Sequence, residues 1–193
     1  MPTGQYIGRT DQAARVRLQN LAEVRDGWSS LLTRVPWDQF ITLTLDPKRF
    51  PRSGQESWLS SWRWFQFTWL TACAENAGEA WQDDKGHWRG SWVNAWRHGR
   101  GRPMWALAVE PHRDDRLHAH VLLRLTRGLP WLDWKIGADL WWANRGRAWF
   151  ERPRSREHVC DYVAKYVLKS GSDSVFLSGN FDAPRMTVAE ATS

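Results

Sequence analysis

The chain has 193 residues, room for one domain with a substantial core of its own and none for a second catalytic domain. Lys and Arg outnumber Asp and Glu 27 to 21, a net charge of +6, and the sequence pI near 9.8 suits a polyanionic partner. Two distant cysteines, Cys73 and Cys160, argue against a disulfide framework or a thiolate zinc site. No run approaches the ~18 apolar residues of a membrane span, so a soluble cytoplasmic protein is expected.

The basic excess is mostly arginine, interleaved with 16 tryptophans. Guanidinium and indole together can grip phosphates and stack on unpaired bases. Tryptophan is first a core-filling residue, however, and roughly three in four are expected in the core or at its edge.

In chain order, Thr10 to about Leu32 has helical spacing in Ala14, Val16, Leu18, Leu21, Val24 and Trp28, with Thr10 placed as its cap. After Pro36, the alternation from Asp38 to Leu45 before Pro47 predicts a first core strand. Gln55 to about Ala77 carries Trp58, Trp62, Phe65, Trp69, Leu70 and Cys73 at helical steps, and Gly78 ends it. Gly78 to Pro103 reads as a polar connection holding a short strand around Ser91 to Trp96. Trp105 to Glu110 and Leu117 to Leu125 read as two strands of a hairpin. Pro130 is expected to open a helix to about Ala143, Arg147 to Glu151 to add a strand, and Ser155 to Lys169 to form a last helix closed by Gly171. The prediction is an α+β domain over 1–180, an antiparallel sheet covered by helices, with an N-terminal helix at about 10–33, a core at about 38–170 and a flexible tail at 181–193.

Two stretches carry chemistry. In a strand, residues two apart share a face, so His118 and His120 present their imidazoles together, and a hairpin turning near Asp114 puts Glu110 opposite His118. Two imidazoles and a carboxylate make a three-ligand divalent-metal site with open positions; His112 is the alternative third ligand. A His-x-His pair alone is more often metal-free, and Glu110 at hairpin distance is what shifts the balance. His87, His98 and His158 lack such geometry and read as surface residues.

The second stretch, Asp161 to Lys169, repeats Tyr-x-x-Lys with a four-residue offset. On a helix, Tyr162 and Tyr166 then share a face, with Lys165 and Lys169 each three residues beyond a phenol. A phenol titrates near pH ~10, so it needs charge stabilisation to act as a nucleophile, and a lysine supplies it. Alone, such a pair is more often packing plus solvated charge.

Together, Phe40 to Thr44, His118-Ala119-His120 and Tyr162 to Lys169, in that order, resemble the three motifs of the HUH endonuclease superfamily, especially rolling-circle replication initiators of the two-tyrosine type. The resemblance implies an RRM-like central antiparallel sheet with the metal hairpin at its centre and the tyrosine helix facing it. It also implies Mg²⁺ or Mn²⁺ on Glu110, His118 and His120, with Tyr166 as primary nucleophile and Tyr162 as second nucleophile or positioning residue. Thr42, Thr44, Lys48, Arg113 and Arg116 are expected at the DNA, with tryptophans such as those of the Trp141-Trp142 pair stacking on bases. The expected partner is single-stranded DNA at a replication origin. No Gly-x-x-x-x-Gly-Lys-Ser/Thr loop occurs, so helicase and polymerase would come from the host. A transposase or relaxase of the same superfamily, or a non-catalytic nucleic-acid-binding module, are the competing expectations.

Overall fold

A computed structural model describes residues 22–50, 54–111, 117–125, 132–153, 155 and 175–178. Helix α1 is described over 22–33. It is followed by β1 (Gln39–Thr44), α2 (Gln55–Asn76), β2 (Trp81–Gln82), β3 (Trp88–Arg89), α3 (Ser91–Arg97), β4 (Met104–Pro111), β5 (Leu117–Arg124), α4 (Trp134–Asn144), β6 (Ala148–Glu151) and β7 (Val175–Leu177). The protein is α+β. Five strands form one sheet in the order β6-β1-β5-β4-β7, every neighbouring pair antiparallel, and β2 and β3 form a separate small hairpin.

Side-chain alternation divides the sheet into two faces. Ile41 and Leu43 of β1, Trp105, Leu107 and Val109 of β4, and Ala119, Val121 and Leu123 of β5 pack with Trp58, Trp62, Phe65 and Trp69 of α2 and with Trp141 of α4. Phe65 sits 5.4 Å from the Trp69 ring in a stacked arrangement and 5.0 Å from Trp141 edge-on. Each buried indole removes about 150–250 Å² from water, worth roughly 4–6 kcal/mol before chain entropy is counted. The opposite face is covered more thinly: Ala106, Ala108 and Leu122 pack with Leu32 at the end of α1 and with Trp37, whose indole N–H donates to the Leu32 carbonyl at 2.8 Å. The alternate residues of β4 and β5 on this thin side include Glu110, His118 and His120.

Two expectations are corrected. Ser91–Arg97 is a helix, not a strand: Trp92, Val93 and Trp96 fall on one side of a helical turn and pack against Phe67, Leu70 and Ala74 of α2. The polar stretch before it is the β2–β3 hairpin. There the Asp83 carboxylate accepts from the backbone N–H groups of His87 and Lys85 and from the Arg89 guanidinium, bonds that hold its carboxyl below the usual range. Gly86, at φ 75°, makes the turn.

Helix α4 begins at Trp134 rather than at Pro130, because Asp133 is the residue that caps it, accepting from the N–H groups of Lys135 and Ile136. The Asp133 carbonyl also accepts the indole N–H of Trp69 at 2.8 Å, which docks the start of α4 on α2. At its other end the Arg145 guanidinium lies 4.3 Å from the Trp64 ring and 5.3 Å from Phe50. Strand β7, three residues pairing with Ala106 to Ala108, is an addition to the elements expected from the sequence. The Thr10 cap, the loop at 112–116, the Ser155–Lys169 segment beyond its first residue and the 181–193 tail lie outside the described residues.

Candidate metal centre and adjoining cleft

The register of the central strands assembles the site. Glu110 of β4 lies opposite His118 of β5, as the hairpin spacing requires, and His118 in turn lies opposite Thr44 of β1. One step along, His120 lies between Ala108 and Thr42. Oε1 of Glu110 is 3.3 Å from Nε2 of His118 and 3.2 Å from Nε2 of His120. One ligand atom from each of the three lies within 4.8 Å of the others. Donors each about 2.1 Å from a single divalent ion stand about 3.0–3.4 Å apart at octahedral or tetrahedral angles, so the group can hold a metal ion.

Burial and neighbours hold the donors in place. The His120 side chain is 5% exposed, Glu110 9% and His118 17%, so the site is closed at its inner end and opens at His118. The Phe40 ring stacks on His120 at 5.6 Å and 3° between planes. The Thr42 hydroxyl is 3.1 Å from Nδ1 of His120. If Nε2 faces an ion, Nδ1 carries the proton and donates to Thr42, the second contact that metal-binding imidazoles generally require.

Beside His118 a cleft of about 640 Å³ runs along the end of β1 and the start of β6. Its lining includes Thr44, Lys48, Arg49, Trp142, Arg147 and Trp149. Its floor is fixed by main-chain contacts: the Thr44 carbonyl accepts the Trp141 indole N–H at 2.9 Å, and the Thr44 hydroxyl accepts from the Arg147 N–H at 3.1 Å. A Cβ on Gly146 would collide with the Thr44 carbonyl, so only glycine lets the α4–β6 connection pass so close.

The structure thus brings together Glu110, His118, His120 and Thr42, with Thr44 and Lys48 on the adjoining cleft. Of the tryptophan pair, Trp141 is fully buried in the core and only Trp142 faces the cleft. Tyr162, Lys165, Tyr166, Lys169, Arg113, Arg116 and His112 lie outside the described residues. Phe40, Arg147 and Trp149 join the site residues expected from the sequence. A signal for the last two exists: within 147–151, Ala148 and Phe150 are apolar and core-facing while Arg147 and Trp149 alternate with them onto the other face.

No protein-family model, curated protein or solved structure significantly matches the chain. Its class therefore rests on its own geometry: an α+β protein with a five-stranded antiparallel sheet and a Glu-His-His group that could hold a metal ion. No helix among the described residues is long and apolar enough to cross a membrane.

Proposed function

We propose that the chain is a metal-dependent endonuclease of the HUH type that nicks and rejoins single-stranded DNA through a tyrosine, in the manner of a rolling-circle replication initiator. The observation that carries this reading is the convergence of Glu110, His118 and His120 on the two neighbouring central strands, with β5 third in the five-strand order. A sheet of this order with its histidine strand in the middle fits the RRM-like layout that the three sequence motifs resemble.

In this reading Glu110, His118 and His120 would hold Mg²⁺ or Mn²⁺, and Thr42 and Phe40 fix the orientation of His120. A bound divalent ion would supply Lewis-acid polarisation of the scissile phosphate. The Tyr166 phenol gives up its proton to water and its oxygen bonds to phosphorus. The phosphorus bond to the 3′ oxygen breaks, and that oxygen leaves as a free 3′-hydroxyl after taking up a proton. The DNA 5′ end remains on the tyrosine, and attack by a 3′-hydroxyl reverses the exchange. Lys165 and Lys169, three residues beyond each phenol, favour the phenolate as it forms. Tyr162 serves the second exchange or positions the first. The replication partners, a helicase among them, come from the host.

The test is incubation with labelled single-stranded origin oligonucleotides and Mn²⁺, followed by a denaturing gel. A slower-migrating covalent adduct is expected from the wild type, lost with EDTA, with Glu110→Gln and with the Tyr162→Phe/Tyr166→Phe double variant. Binding without adduct on every candidate origin would leave a non-catalytic nucleic-acid-binding module.

A further inference from the structure

The geometry points to the cleft beside His118 as a stacking channel for single-stranded DNA, in which Trp142 and Trp149 are base platforms and Arg147 and Lys48 hold the phosphates. This rests on the proposed role of the adjoining metal centre and names how the strand reaches it.

Among the described residues four indoles are strongly exposed, those of Trp81, Trp134, Trp142 and Trp149, and the last two stand at the cleft. Trp142 is 62% and Trp149 51% exposed, whereas Trp141, the neighbour of Trp142 on α4, is fully buried. Trp142 and Trp149 line the cleft that His118 also lines. Trp149 pairs with Thr42, and Thr42 with His120, so the indole stands on the metal-site face two strand spacings, about 10 Å, from His120. A base on Trp149 and a phosphate at the histidines can therefore belong to one short stretch of strand.

The cleft has the charge for this occupant. The Arg147 guanidinium lies 5.5 Å from the Trp142 ring centroid, which places a cation beside a stacking surface. Among the described residues neither Arg147 nor the Lys48 ammonium has a carboxylate partner. Among the described lining residues the one acid, Asp46, is engaged: it accepts the Lys48 backbone N–H at 2.9 Å and faces Arg49 at 3.8 Å. Exposed aromatic faces beside such cations match an unpaired nucleotide strand. A duplex, whose base faces are hidden, offers the indoles nothing to stack on.

The experiment measures fluorescence anisotropy of a labelled thymidine oligonucleotide bound by the full chain in EDTA, so that binding is read without chemistry. Trp142→Ala and Trp149→Ala should each weaken binding by roughly 5- to 150-fold, the loss of one stacked base, with far-UV circular dichroism unchanged and Trp→Phe restoring most of the affinity. Arg147→Ala and Lys48→Ala should each lower the slope of log affinity against log salt by about 0.7. Undiminished affinity in the Trp142→Ala/Trp149→Ala variant, or equal binding of a duplex, overturns the channel. Loss of binding in that variant with no Mn²⁺-dependent adduct in the wild type upholds the channel and removes the nuclease. Full adduct formation by that variant at limiting DNA does the reverse.

Discussion

The Thr42 hydroxyl and the Nδ1 of His120 lie 3.1 Å apart, and the far nitrogen of the same ring is 3.2 Å from Glu110. A threonine on β1 thus fixes the tilt of a candidate metal ligand on β5, and with Nε2 on an ion its hydroxyl would accept the Nδ1 proton. Outer contacts of this kind commonly contribute 10- to 100-fold to metal affinity. Thr42→Val keeps the β-branched shape that a strand favours and removes only the hydroxyl, so it is expected to weaken Mn²⁺ binding by about 10-fold or more in titration calorimetry. Thr42→Ser should retain most of it. Equal affinity in Thr42→Val would show that Phe40 stacking alone orients His120.

Metal should also stabilise the fold, because the three donors converge only when β4 and β5 are paired. A ligand held at 100 times its dissociation constant adds about 2.7 kcal/mol, and in a chain of this size that raises Tm by about 5–11 °C. The expected result is such a rise for the wild type with Mn²⁺ and none for Glu110→Gln, measured by differential scanning fluorimetry. A rise of equal size in Glu110→Gln would place the ion elsewhere.

Much of the fold is legible in the sequence because period two and period 3.6 leave strong marks where burial is one-sided. Ile41 and Leu43 against Thr42, and Val121 and Leu123 against His120, define two faces by alternation alone. Alternation puts His118 and His120 on one face, and the hairpin register brings Glu110 opposite His118. Ser91–Arg97 departs from the expected strand because its tryptophans pack sideways on α2, outside the main sheet interface, and β-favouring residues there obey tertiary contacts. Strand β7 is only three residues long, and its pairing with β4 joins segments far apart in sequence. The cleft is illegible for another reason: it combines the turn after β1 with the start of β5, α4 and β6, and no local pattern announces that four separate segments will meet.

Cys73 provides a pH-dependent test of the α2–α4 contact. Burial pushes its thiol up from the ordinary range, and Sγ faces the Asp133 carbonyl at 4.0 Å. The unfolded thiol ionises near pH ~8.5, while the folded thiol stays protonated to higher pH. Its contribution is therefore fully present below the unfolded value and is lost as pH rises through the folded one. In a Cys160→Ser background, the stability advantage of wild-type Cys73 over Cys73→Ala in urea unfolding should shrink between about pH 8 and 10. A constant difference across that range would mean that Cys73 ionises freely in the native state.

Two glycines in helices should respond to alanine with opposite signs. Gly27 in α1 has open space where an alanine methyl would stand, with nothing within 4 Å, so Gly27→Ala gains helix propensity and should add about 0.5–1 kcal/mol. Gly137 in α4 has the same propensity to gain, but its Cβ would stand 2.8 Å from the Trp69 ring and 3.0 Å from Phe150. Trp69 cannot retreat without breaking its bond to the Asp133 carbonyl. Overpacking a fixed aromatic costs typically about 1–3 kcal/mol, which outweighs the gain. Gly137→Ala should thus lower Tm by a few degrees, about 2–4 °C per kcal/mol, and loosen α4 where it carries Trp142 into the cleft. Thermal unfolding of the two variants side by side decides the matter: a Gly137→Ala protein at least as stable as the wild type would mean that α4 can slide on α2, and that the cleft wall is not rigid.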